Sequence, residues 1–186
     1  MLPPDADSPP RVELRLLDPA LLRALVDGDT AEAARLLEAD LEPGWPDEHD
    51  EHFLRTWLDD PAAGDDRSWG PRALVLRSPT RRMIGHAGFH GPPGVNALGL
   101  PDAVELGYTV FAGARGLGYA TEAARELIRW ARETHGVLRF VTSVAPANEA
   151  SLAVTRKLGF SFVVDVLDDV DGVEHVFVLE TTSSSP

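Results

Sequence analysis

Three glycines, Gly113, Gly116 and Gly118, flank Arg115 directly before an alanine-rich stretch, in the run GARGLGYATE. Glycine admits backbone conformations that side chains forbid, and it lets a ligand approach the main chain. At a helix start several N–H groups lack helical partners and share the positive end of the dipole, so such a run can cradle an anion. Two phosphate chemistries fail on composition. Gly113 to Gly118 gives the GxxxxG frame of a nucleotide P-loop, but Tyr119 and Ala120 stand where Lys and Ser/Thr would grip the terminal phosphates. Gly116 and Gly118 begin a dinucleotide fingerprint, but Thr121 takes the place of its third glycine, and the following strand ends in Ser-Val-Ala-Pro with no acid for a ribose. Another kind of phosphate cradle and a ligand-free tight turn stay open. His49 and His52 lie in the acidic run DEHDEH, and His86 and His90 are four apart. Neither pair carries a full ligand set, so no metal is expected. Asp168, Asp169 and Asp171 read as a solvated turn.

The elements that must position these residues follow from periodicity. Arg11 to Leu17 alternates and predicts a strand. Asp18 and Pro19 open a helix with Leu21, Leu22, Leu25 and Val26 on its apolar face, ended by Gly28. Thr30 is expected to cap a second helix with Ala33, Ala34, Leu36, Leu37 and Leu41 on one side. A third, from about Glu48 to Asp59, carries Phe53, Leu54, Trp57 and Leu58; these aromatics and Trp45 are assigned to helix packing. Ala73 to Leu76 and Met83 to Phe89 predict a hairpin. Val104 to Phe111 has period two, placing Val104, Leu106, Tyr108 and Val110 on one face and Glu105, Gly107, Thr109 and Phe111 on the other. The glycines then lead into a helix ended by His135-Gly136, with Ala120, Ala123, Ala124, Leu127, Ile128 and Ala131 buried. Leu138 to Val144 is a strand, Asn148 to Leu158 a short helix, and Phe160 to Val166 with Val173 to Leu179 a last hairpin. The order predicts one α/β domain with a mixed sheet over residues 11–180, a disordered extension at 1–10 and a disordered tail at 181–186.

Bulk properties narrow the function. With no cysteine among 186 residues, neither a disulfide frame nor a thiolate nucleophile is possible. The formal charge of −13 disfavours nucleic acid and suits cationic partners such as amines. No apolar run is long enough to span a membrane, and the acidic, proline-rich start is unlike a signal peptide, so a cytoplasmic protein is expected, as a monomer or homodimer.

Arg115 to Ala120 fits R-x-x-G-x-A, and Asn148-Glu149-Ala150-Ser151, ending in Lys157-Leu158-Gly159-Phe160, fits N-x-x-S…K-L-G-F. Val104 to Tyr108, VELGY, precedes them. In order and spacing these resemble the GNAT superfamily of N-acetyltransferases, in the branch of the RimJ/RimL-like ribosomal-protein N-terminal acetyltransferases. The resemblance spans residues 11 to 180 and is strongest over 102 to 162. It implies a mixed, mostly antiparallel sheet of about six or seven strands with helices on both faces, and a splayed strand pair holding CoA.

The resemblance also implies roles. Acetyl-CoA is the co-substrate, its pyrophosphate held by Arg115, Gly116, Leu117, Gly118, Tyr119 and Ala120. Its pantetheine arm meets the main chain of Val110 and Phe111, and Asn148 lies near the reacting centre. A free alkyl amine is largely protonated near neutral pH and must lose a proton before it attacks. Glu105 is the implied base. Thr155 occupies the position where many relatives carry a tyrosine acid, and Ser151 is the replacement that the branch uses, to hydrogen-bond or relay a proton to the leaving thiolate. Without cysteine, direct transfer in a ternary complex is expected. The acceptor is a primary amine on a protein N-terminus, a polyamine or a small molecule. A CoA-binding regulatory module without catalysis, and a dinucleotide-binding oxidoreductase, are the competing readings.

Overall fold

The computed structural model describes residues 10–59, 67–168 and 172–182. The Asp169–Asp171 part of the predicted turn, and most of the expected terminal extensions, lie outside the described residues. The chain runs β1 (Val12–Leu16), α1 (Pro19–Val26), α2 (Thr30–Leu37), α3 (Glu48–Asp59), β2 (Arg72–Leu76), β3 (Met83–Phe89), β4 (Ala103–Val110), α4 (Tyr119–His135), β5 (Arg139–Val144), α5 (Glu149–Leu158), β6 (Ser161–Asp168) and β7 (Gly172–Glu180). The seven strands form one sheet in the order β1-β2-β3-β4-β5-β7-β6. Every neighbouring pair is antiparallel except β4 and β5. This is the mixed, mostly antiparallel α/β architecture that the resemblance implies.

Local chemistry sets the helix ends. The Asp18 carboxylate accepts from the N–H groups of Ala20 and Leu21, both at 3.0 Å. The cap of α2 is Asp29 rather than Thr30: its carboxylate accepts from the Glu32 N–H at 3.0 Å, which makes Thr30 the first helical residue. Gly136 and Gly159 close α4 and α5 in the left-handed conformation.

The core lies on both faces of the sheet. On one, Ala123, Leu127 and Ala131 of α4 meet Leu74, Ile84, Val104, Leu106 and Phe140. On the other, Leu22, Leu25, Leu37 and Leu54 of α1 to α3 meet Ala73, Val75 and Met83. The two-residue alternation of β2 and β3 produces this division.

Gly85 lets β3 and β4 approach closely opposite Val110. At its φ of 154° an added Cβ would stand 2.1 Å from the Thr109 carbonyl oxygen, which is backbone and cannot yield cheaply. Gly85→Ala is therefore expected to lower stability by about 3 kcal/mol, read from the urea midpoint. A wild-type midpoint would mean that the two strands are not so closely apposed.

Candidate active site

The single parallel junction of the sheet opens a gap. Strands β4 and β5 pair only through Ala103–Arg139, Val104–Phe140 and Glu105–Val141. Beyond them β4 keeps its pairing with β3 to Val110, while β5 keeps its pairing with β7 to Val144. The strands thus part at Leu106 on one side and Thr142 on the other, and the main chain of β4 loses its strand partner on that edge.

A cleft of about 460 Å³ lies along the freed end of β4, at Tyr108, Thr109 and Val110. The loop before α4 makes one wall. Ala112–Ala114 form a 3-10 turn, and Gly116 and Gly118 follow at φ of 75° and 87°. Gly118 is the N-cap of α4 and makes no side-chain cap bond. Residues with side chains strain at such angles, so glycine turns the chain here, and Tyr119, Ala120 and Thr121, whose N–H groups lack partners within the helix, border the cleft. The other wall is the start of α5. There the Asn148 amide oxygen accepts from the Ser151 N–H at 3.1 Å, capping the helix.

Most of the expected site residues meet in this cleft. Val110, Arg115, Gly116, Gly118, Tyr119, Ala120, Asn148 and Ser151 all line it. Three do not. Leu117 is exposed beside the loop. Phe111 turns toward the other face, with its ring centroid 5.9 Å from Trp45, and its N–H donates to the Ile84 carbonyl at 2.9 Å. Glu105 sits at the closed end of the gap and is only 3% exposed. Its Oε1 accepts from the Ser143 hydroxyl at 2.6 Å, and its Oε2 from the Ala97 N–H at 2.7 Å.

Four further residues, given no site role from the sequence, contribute here. Arg11, read only as the start of a strand, donates from Nη2 to the Leu117 carbonyl at 3.1 Å, and its guanidinium lies 4.6 Å from the Tyr119 ring centre. It also pairs through Nε with Glu122 at 2.9 Å. Glu122, in the first turn of α4, further accepts from the N–H groups of Arg11 and Val12. A bare carboxylate at that helix end would repel an anion; Arg11 offsets its charge. Tyr108, assigned by alternation to the apolar face, does pack against that core, yet its phenol also lines the cleft, 3.5 Å from the Ser151 carbonyl. Burial pushes the phenol pKa above its ordinary value, so it stays a neutral donor. Lys157 adds a cation to the lining.

The histidines divide. His86 faces Asp50 of α3, with Nε2 3.5 Å from a carboxylate oxygen, and Phe53 stacks on its ring. His90 faces Glu105. Of the early aromatics, Trp45 is buried and Trp57 packs with the helix core, as expected, whereas Phe53 is partly exposed.

Residues 11–161 match the family model described as acetyltransferase (GNAT) domain. No curated protein matches the sequence. Similar solved structures include an acetyltransferase of the GNAT family from Bacillus anthracis, 16% identical with a TM-score of 0.60, where 91% of this chain covers 95% of that one. An acetyltransferase from Agrobacterium tumefaciens is 25% identical with a TM-score of 0.58, covering 92% and 91%. RimL, a ribosomal L7/L12 alpha-N-protein acetyltransferase solved in complex with coenzyme A, is 18% identical with a TM-score of 0.63, covering 94% and 96%.

Proposed function

The chain belongs to the GNAT acetyltransferase family and is an acyltransferase; from that premise we propose that it moves an acetyl group from acetyl-CoA to a primary amine by direct transfer. One observation carries the reading: the glycine-built start of α4 and the end of β4 that has parted from β5 border a single cleft. The first supplies converging N–H donors for a pyrophosphate, aided by Arg115 and Lys157. The second supplies β4 main chain without a strand partner on that edge for the amide-bearing pantetheine arm, although Arg115 Nε donates to the Val110 carbonyl at 2.8 Å. Both fit the donor, and neither needs a metal.

The chemistry then has a direction. The donor enters beside Gly116 and Gly118 and runs toward Tyr108 and Ser151. The amine meets the thioester at the gap, after losing its proton there in a step that the Glu105 carboxylate at its closed end supports. Its nitrogen bonds to the carbonyl carbon, the carbon–sulfur bond breaks, and the electron pair goes to sulfur. Ser151 and the neutral phenol of Tyr108 stand by to hydrogen-bond the leaving thiolate. The VELGY strand, the serine at 151 and the likeness to RimL support the RimJ/RimL-like branch, which acts on protein N-termini. We place the protein in the cytoplasm on the same reading.

Isothermal titration with acetyl-CoA, and separately with NAD, tests the proposal. Micromolar binding of acetyl-CoA without NAD binding is expected, followed by thiol release with an amine. Absence of acetyl-CoA binding would overturn the reading; binding without turnover on any amine would leave a CoA-responsive module instead.

A further inference from the structure

We propose that the exposed imidazole of His90 takes the proton from the acceptor amine, and that buried Glu105 serves by positioning and charge-stabilising that ring. The inference rests on the acetyltransferase reading and deepens it. Glu105 is 3% exposed, and each of its carboxylate oxygens already accepts a short hydrogen bond, from Ser143 and from Ala97. A carboxylate held in this way has little means of reaching an amine that arrives from solvent. His90 can reach it. Its side chain is 56% exposed, and its Nδ1 lies 3.8 Å from Glu105 Oε1. Its Nε2 would lie 3.3 Å from a Cβ built on Gly107, so the ring reaches over β4 just past the last β4–β5 pair, where the gap begins. The missing side chain of Gly107 leaves that place open to it.

Glu105 is thus held by Ser143 and Ala97, and His90 is the group beside it that reaches solvent. Imidazole is the side-chain type that gains and loses a proton near neutral pH. The other charged groups nearby are engaged elsewhere. Arg139 of β5 is held by Asp102, from the loop before β4, and by Glu180 of β7. His86, four residues earlier on the same face of β3, faces Asp50 of α3. In the step itself the amine lone pair forms the nitrogen–carbon bond and the thioester carbon–sulfur bond gives its electron pair to sulfur. The amine proton passes to the side-chain nitrogen of His90 that faces the gap and then to solvent.

The test compares His90→Gln, Glu105→Gln and the double variant in steady-state acetylation of an amine across pH, with acetyl-CoA affinity measured alongside. His90 is exposed, so its replacement leaves the core intact. The expected result is a loss in kcat/KM of about 100-fold for His90→Gln, with unchanged acetyl-CoA affinity, loss of the acid limb of the pH profile, and no further loss in the double variant. Wild-type rate and pH profile in His90→Gln would overturn the proposal while leaving the acetyltransferase reading in place. So would additive losses in the double variant, since Glu105 would then act on its own. A wild-type protein that binds acetyl-CoA but acetylates no amine would overturn both.

Discussion

Gly118→Glu loses acetyl-CoA binding by at least about 100-fold while the protein keeps its fold. The expectation follows from what surrounds the residue. Gly118 caps α4 at φ 87° and borders the cleft. The nearest atom to an added Cβ is Arg11 Nη2 at 3.5 Å, so there is room for a side chain. The left-handed backbone costs a non-glycine residue about 1–2 kcal/mol, which a folded domain of this size tolerates. Binding is different. The new carboxylate puts a negative charge where the donor's pyrophosphate must sit, and it competes for Arg11. Gly118→Ala separates the two effects, since it carries the same backbone strain without charge and is expected to keep most of the affinity. Titration calorimetry reads the affinities and thermal melting the fold. Wild-type affinity in Gly118→Glu would remove the loop from the binding site.

Glu105→Gln is the second large effect. General-base catalysis contributes about 100- to 10,000-fold, and removing the carboxylate that supports it is expected to cost turnover within that range. Acetyl-CoA affinity should be unchanged, because Glu105 does not line the cleft that takes the donor. The replacement is nearly isosteric: an amide can still accept from the Ala97 N–H through its oxygen and donate to the Ser143 hydroxyl. The pH dependence gives the sign. At high pH solvent already supplies the neutral amine, so the base matters less; at low pH the amine arrives charged and depends on it. The deficit should therefore be largest at low pH and shrink as pH rises. A constant deficit at every pH would point to lost structure, and an unchanged profile would remove Glu105 from proton transfer.

The legible part of this protein is the part whose chemistry is local. The glycines of the loop, the Asp18 and Asn148 caps and the Gly136 and Gly159 stops each act on residues within a turn of themselves, and each stands where the sequence places it. The surroundings of Glu105 were not legible, because they come from a loop with no periodic signal. There the side chain of Asn96 bonds the backbone of Leu98, Leu100 and Ala103, and so aims the neighbouring Ala97 N–H at the carboxylate. Arg11 reaches Glu122 across 111 positions, a partnership that only the closed sheet makes. Tyr108 shows the limit of a two-residue alternation. It assigns a face correctly, but it does not say that a long side chain leaving that face will reach a cleft with its polar tip.

The parting of β4 and β5 also has a mechanical meaning. Strands β1 to β4 form one leaf of the sheet and β5 to β7 another, and three residue pairs stitch the leaves together like a short spine. Helix α4 rides on the first leaf, and α5 leans on it from the second. A molecule whose amide groups bridge the open edge would act as a mortise between the leaves. It would stiffen the whole sheet from a position that touches only a small part of it.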